Sequence, residues 1–383
     1  MNNFTFHNPT KLLFGKGQIA NLGAELPAGA RILLTSGGGS IKANGVYDQV
    51  IAQLQGRTFF ELSGIEANPR YETLMRGVAL VREHQLDFLL AVGGGSVIDG
   101  TKFIAAAVPF TGGDPWRILS DGASVERALP LASVLTLPAA GSEANGAAVI
   151  SRDDQKLAFW TTHVYPVFSV LDPETTFSLP PRQIANGVID TFVHVMEQYM
   201  TYPVQGLLQD RFAESILQTL VEIGPKLLAG GRDYDLHANF MWCACMALQG
   251  PVGAGVPADW SSHCIGHELT ALHGVDHART LAVVLPSLLD VKRETKGEKL
   301  VQWAERLWGI REGTPGQRID AALARLRAFF EQMGAPTRLS GHGIPASTAD
   351  VVAQRLAARG VNTIGERGDI TPSVVRRILA RAA

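Results

Sequence analysis

The hydrophobic pattern changes rhythm partway along the chain. In the first half, the short apolar runs "RILLTS" (31–36), "DFLLAV" (87–92) and "LASVLTLP" (131–138) each end in small residues. Those ends are Gly37-Gly38-Gly39-Ser40, Gly93-Gly94-Gly95-Ser96 and Ala139-Ala140-Gly141-Ser142. Between the first two runs lie "GVYDQVIAQLQ" and "YETLMRGVALVREHQ", whose apolar residues follow helical spacing. Strand, small-residue loop, helix and strand predict βαβ units and a parallel sheet covered by helices. After "LDPETTFSLPPRQ" (171–183) the patterns become long and helical, as in "DRFAESILQTLVEIGPKLL" and "IDAALARLRAFFEQM". The expected boundary is at Leu179-Pro180-Pro181. Residues 1–180 then form an α/β domain with a parallel sheet, and 181–383 an all-helical domain. A cleft between two such domains is a common home for a small molecule.

Composition narrows the class. A chain of 383 residues with 46% hydrophobic and 18% charged residues has material for a large core. Lys plus Arg number 34 against 36 Asp plus Glu, a net charge of −2. That balance gives no electrostatic reason to seek nucleic acid or an anionic membrane. The N-terminal residues lack the apolar core of a signal peptide, and "LAVVLPSLL" is too short to span a bilayer. Three cysteines, Cys243, Cys245 and Cys264, are too few and odd in number for a disulfide framework, and they suit a reducing cytoplasm. Cys243 and Cys245 fall in "NFMWCACMALQG", which reads as a buried helix where thiols pack as small hydrophobes.

"LLAVGGGSVIDGTKFIAAA" follows an apolar strand and opens a predicted helix. Glycines let backbone N–H groups approach an anion, and a helix N-terminus adds free donors, so a diphosphate is the natural ligand. A plain strand-to-helix turn is the alternative. The run departs from G-x-G-x-x-G, with Ile98 at the third glycine position, and no G-K-[ST] closes a Walker loop. After the 31–36 strand come Gly37 to Gly39, Ser40 and Lys42, with no carboxylate to hold a ribose 2′-hydroxyl. A 2′-phosphate would meet small donors and a cation there, which leans toward NADP over NAD; an ordinary glycine turn with a solvated lysine is the alternative.

Four of the ten histidines crowd into "HCIGHELTALHGVDH" (263–277): His263, His267, His273 and His277. Each of the pairs 263/267 and 273/277 is four residues apart, the spacing of one helix face. Gly274 is expected to interrupt that helix. Upstream, "NGVIDTFVHVMEQYM" sets Asp190 and His194 four apart in otherwise apolar surroundings, where polar groups need partners if buried. Asp190, His194 and two of the later histidines would make an N3O set suited to Zn or Fe(II). Spacing alone leaves open which two. Ala271 stands where H-E-x-x-H needs its second histidine, so the segment is not that metalloprotease motif.

In order, "LLFGKG", "GGGSVIDGTK", "TLPAAGSEAN", "LDPETTFSLPP", "GVIDTFVHVMEQY" and "HCIGHELTALHGVDHARTLAVVLP" resemble the iron-containing (group III) alcohol dehydrogenases across nearly the full length. The likeness is to the bacterial NADPH-dependent aldehyde reductase and butanol dehydrogenase branch, whose fold is of the dehydroquinate synthase-like kind. The resemblance implies one divalent metal, zinc or iron, on Asp190, His194, His263 and His277. It implies a substrate or proton-relay role for His267 and no ligand role for His273. Gly94, Gly95 and Ser96 match the diphosphate loop, with Asp99 in the same loop and helix, a second catalytic candidate. Thr136 matches a residue lining the cofactor site, Lys156 one that reaches the nicotinamide ribose, and Gly37, Gly38 and Ser40 the adenosine end of NADP(H).

Two departures, Leu137-Pro138 in "TLPAAGSE" and "DHART" for the commoner P-H-G, are typical of that branch. The implied reaction is reduction of short-chain aldehydes to primary alcohols by a cytoplasmic homodimer. A polyol or glycerol dehydrogenase of the same fold and a metal-dependent hydrolase are the alternatives.

Overall fold

The computed structural model describes all residues, 1–383. They form two compact units. One comprises residues 7–180 with 231–245, and the other residues 1–6, 181–230 and 246–383.

The first unit carries eight strands: β1 (Lys11–Phe14), β2 (Arg31–Ser36), β3 (Thr58–Leu62), β4 (Phe88–Gly94), β5 (Leu131–Leu137), β6 (Ala147–Arg152), β7 (Gln155–Trp160) and β8 (Phe168–Leu171). Six of them make one sheet in the order β1-β8-β5-β4-β2-β3. Every pairing in it is parallel, as the βαβ reading expected. β6 and β7 form a separate antiparallel hairpin. The helices of this unit are α1 (Leu22–Glu25), α2 (Ser40–Ala43), α3 (Val46–Gln53), α4 (Tyr71–Glu83), α5 (Gly95–Ala107) and α6 (Arg117–Ser120), with most of α9 (Tyr234–Leu248).

Successive side chains of a strand point to opposite faces. Ile32, Leu34, Phe88, Leu90, Val92, Ala132, Val134, Phe168 and Val170 share one core with Leu22, Ile41, Val46 and Val50 of α1 to α3. On the opposite face the Thr35 and Thr101 hydroxyls meet at 2.6 Å, tying β2 to α5. Because both faces are covered, the central strands read as unbroken apolar runs.

One charge lies beneath the loop that follows β5. Lys102 on α5 is fully buried. Its Nζ donates to Ser142 Oγ (2.9 Å), Asn145 Oδ1 (3.0 Å) and the Ala147 carbonyl (2.8 Å). Burial pushes this ammonium down to about 8, against the pull of Asp99 and then Glu143.

The second unit is helical: α7 (Pro181–Tyr199), α8 (Leu207–Leu228), α10 (Ser261–His273), α11 (His277–Val291), α12 (Gly297–Trp308), α13 (Pro315–Gln332), α14 (Thr348–Ala358) and α15 (Pro372–Arg381). α7 is buried at every position from Gly187 to Tyr199, and α11 from Thr280 to Leu289. A helix enclosed on all sides belongs to a core, so each polar residue along it needs a partner. α10 lies close against α11 because Gly266 faces it. A methyl at that position would sit 2.9 Å from Thr280 Oγ1 and 3.0 Å from Leu281 Cδ2. No helix is long and apolar enough to cross a membrane.

Lys102→Met should lower the unfolding free energy by about 3–5 kcal/mol, since it strips a buried charge from its partners. Denaturant unfolding measures this. A loss below about 1 kcal/mol would show that Lys102 does not brace the loop.

Candidate metal and nucleotide sites

Two groups of residues stand out, one in each unit. In the helical unit the centre is the Asp190 carboxylate on α7. Its Oδ1 lies 3.7 Å from His194 Nδ1, 3.9 Å from His263 Nε2 and 3.9 Å from His277 Nε2. All are beyond hydrogen-bonding reach. The ligand atoms of Asp190, His263 and His277 lie within 4.8 Å of one another. His194 stands outside that mutual triangle but stacks at a tilt on His263, ring centroids 4.4 Å apart.

Asp190 Oδ1 and His194 Nδ1 are buried with no hydrogen-bond partner. Orphaned polar atoms at the heart of a core helix are costly unless a cation satisfies them. Zinc ligands at 2.0–2.1 Å in a tetrahedron stand ~3.4 Å apart, close to the spacing here. The donor set therefore fits one divalent metal of the Zn or Fe(II) kind. Burial pushes the His194 imidazole down to about 4, so at neutral pH it keeps the uncharged form that binds metal.

Sequence reasoning missed the residue that orients His263. Glu197 Oε1 accepts the His263 backbone N–H at 3.1 Å and lies 3.2 Å from its Nδ1. Two donors converging on one oxygen mark it as the acceptor, so Nδ1 carries the proton and Nε2 keeps its lone pair toward Asp190. This is the carboxylate–histidine arrangement that fixes metal-ligand tautomers. The signal was in the sequence: Glu197 stands three residues after His194 and seven after Asp190, on the same helix face.

The local chain course separates the four clustered histidines. α10 ends at His273 because Gly274 adopts a left-handed conformation (φ 66°) and its N–H closes on the Thr270 carbonyl. His277 opens the next helix. His273 faces away from the cluster, its Nε2 3.1 Å from Thr348 Oγ1. His267 is half-buried, with its ring 4.8 Å from that of His277 and 6.3 Å from that of His263. At the start of α10, Trp260 adopts a left-handed backbone (φ 58°) and sets its ring edge-on to His194 and His263, at 6.2 and 5.4 Å. The preceding Asp259 is held by buried Lys296 at 2.7 Å, which also binds Glu366. Sequence reasoning missed this ion triad and Trp260, and no local spacing announces either.

In the α/β unit the candidate nucleotide residues gather at the carboxyl ends of β2, β4 and β5, three adjacent parallel strands. This is where open α/β sheets bind ligands. Gly37 and Gly38 follow β2, and Ser40 opens α2. Gly94 is the N-cap of α5, and Gly95 and Ser96 are its first two residues, so their amides fall in the first turn, where a helix offers no acceptor of its own. A methyl on Gly38 would meet nothing within 4 Å, and one on Gly95 only Ala140 at 3.6 Å. A methyl on Gly93 would fall 2.6 Å from Val97 Cγ2, so that glycine serves packing. The open cradle and free amides fit a diphosphate.

Thr136 is buried on β5. Asp99 accepts the Ser142 hydroxyl at 2.6 Å and the Val149 N–H at 2.9 Å, so both its oxygens already brace neighbouring segments. Burial pushes its carboxyl up, opposed by Lys102, by those bonds and by Lys156 of β7.

A glycine cradle on a parallel sheet and a carboxylate–imidazole cluster in the same chain suit a class of protein that binds a nucleotide and a divalent cation. Residues 9–173 match the iron-containing alcohol dehydrogenase family, and residues 184–382 match its C-terminal part. The chain belongs to this family. It is 56% identical, over the full length of both, to the NADPH-dependent aldehyde reductase YqhD of Escherichia coli K12. It is 40% identical, over 99% of each, to the probable NADH-dependent butanol dehydrogenase 1 of Bacillus subtilis. The crystal structure of Escherichia coli YqhD superposes with a TM-score of 0.98, covering 100% of this chain and 99% of that one. That of the NADH-dependent butanol dehydrogenase A from Thermotoga maritima gives 0.96 at 33% identity, with coverage of 100% and 99%.

Two outcomes follow from the metal cluster. The unfolded chain protonates His194 below its ordinary 6.5, whereas the folded chain waits until about 4. Between these values the unfolded state binds more protons, so the metal-free protein loses stability on acidification, by at most about 1.4 kcal/mol per pH unit. Thermal unfolding of chelated protein from pH 7 to 4.5 reads this; an equal pH dependence in His194→Gln would remove His194 as its source. Glu197→Gln should retain the fold but weaken metal binding about 10–100-fold, read by chelator competition. Unaltered affinity would rule out the orienting role.

Proposed function

We propose that this enzyme reduces short-chain aldehydes to primary alcohols with NADPH, and runs the reverse oxidation. Residues 1–180 serve as the dinucleotide-binding domain and 181–383 as the metal-binding domain. The observation that carries the reading is the convergence of three imidazoles on the orphaned Asp190 oxygen. The likeness to an aldehyde reductase over the whole chain supports it.

When bound, the divalent cation supplies Lewis acidity at the carbonyl oxygen and the reduced nicotinamide supplies the hydride. The chain does the rest. Asp190, His194, His263 and His277 hold the cation, and Glu197 keeps His263 in the tautomer that can bind it. Gly94, Gly95 and Ser96 receive the diphosphate, and Gly37, Gly38 and Ser40 the adenosine end. Lys42 on α2 and the absence of a carboxylate between Ser36 and Lys42 suit the 2′-phosphate of NADP. Thr136 and Lys156 flank the nicotinamide end. Asp99 shapes this site through Ser142 and Val149. His267, half-buried beside His277, gives a proton from its imidazole N–H to the product oxygen and regains it from solvent. The reading includes a homodimer and a cytoplasmic setting, the latter in keeping with a sparse, odd set of three cysteines.

The test is NADPH oxidation with butanal, run beside bound-metal analysis. Asp190→Ala and His263→Ala should each lose the metal and lower turnover by about a thousandfold or more. His267→Ala should keep the metal and slow turnover by about a hundredfold or more. Full activity in a metal-free variant would defeat the reading. A His267 variant with the parental rate at every pH would remove the relay.

A further inference from the structure

Arg182, Asn186, Asp190 and His194 recur every fourth residue of α7 and so form one stripe along it. The later pair belongs to the metal cluster. The earlier pair reaches a single carboxylate, that of Asp276. Arg182 Nε donates to Asp276 Oδ2 at 2.7 Å and Asn186 Nδ2 donates to the same oxygen at 2.8 Å. Arg279, one turn into α11, brings its Nε to 3.6 Å from it.

Asp276 is the N-cap residue of α11, and His277 is the first residue of that helix. An aspartate at this position ordinarily accepts amides of its own first turn. Here it makes no such bond and points across to α7 instead. The bond is poor material for stability, because Arg182 is 60% exposed and exposed ion pairs contribute little. Its geometric effect is larger. It fastens the residue before His277 to the same helix face that presents Asp190 and His194, two turns further on.

We propose that Asp276 is a positioning residue for the metal centre: with Arg182 and Asn186 it latches the start of α11 onto α7, and so sets His277 against Asp190. This rests on the metal site proposed above. Without the latch, the first turn of α11 still has no side-chain cap and loses its polar tie to α7, while Arg279 keeps its bond to the Gly334 carbonyl at 2.8 Å. His277 then spends less time within reach of the cation.

The test is zinc affinity of the full-length protein, stripped of metal and titrated against a chromogenic chelator. Asp276→Ala should weaken zinc binding by about 10–100-fold. The pair Arg182→Ala with Asn186→Ala should do the same from the other side, and the triple variant should be no weaker than either, as expected for one shared interaction. Asp276→Asn should recover most of the affinity, because its amide oxygen still accepts from Arg182. The metal-free forms should melt within about 2 °C of the parent, since surface ion pairs contribute little to stability. Zinc affinity within about twofold of the parent in Asp276→Ala, or full additivity in the triple variant, overturns the latch alone. So does a fall in metal-free stability that accounts for the loss. A parent chain that takes up neither zinc nor Fe(II) overturns the latch and the proposed function together.

Discussion

The organising constraint of the helical unit is a carboxylate oxygen in an apolar helix with no hydrogen to accept. Asp190 Oδ1 lies within 4 Å of three imidazole nitrogens and bonds to none. Burying such a group is unfavourable unless a cation completes it. Everything nearby keeps that gap open at a fixed size. Gly266 lets α10 approach α11, Glu197 holds the His263 ring, and the left-handed turn at Gly274 ends one helix so that His277 can begin the next. The likeness to iron-containing alcohol dehydrogenases gives this geometry its chemical sense.

The α/β unit follows a different logic. The groups around its glycine cradle are mostly backbone, exposed where glycines remove side chains. The polar side chains of that region brace one another: Lys102 supports Ser142 and Asn145, and Asp99 ties Ser142 to Val149. Rigid bracing behind an open cradle fits a site that must accept a large nucleotide repeatedly without being remade each time.

Much of this was legible in the sequence, for physical reasons. β2, β4 and β5 are covered on both faces, so their apolar runs are long and end sharply at glycine or proline. β1 and β8 have only four residues each and β3 is a half-exposed edge strand, too little pattern to stand out. Asp190 and His194 were legible because polar residues four apart in an apolar helix need a reason. The choice among the later histidines was not, since it turns on where α10 ends and on Thr348, seventy-five residues beyond His273. Asp276 and Lys296 escaped because a lone charge in sequence reads as solvated; Glu197 lay on the Asp190 and His194 face, but its partner His263 lies in another helix.

The fourfold stripe on α7 restricts how this stretch of chain can change. One residue inserted between Asn186 and Asp190 would swing the two halves of the stripe about 100° apart around the helix axis. Arg182 and Asn186 would then turn away from the face that carries Asp190 and His194, though none had been exchanged. From Arg182 to His194 the length of the polypeptide is therefore fixed as firmly as the side chains of the stripe.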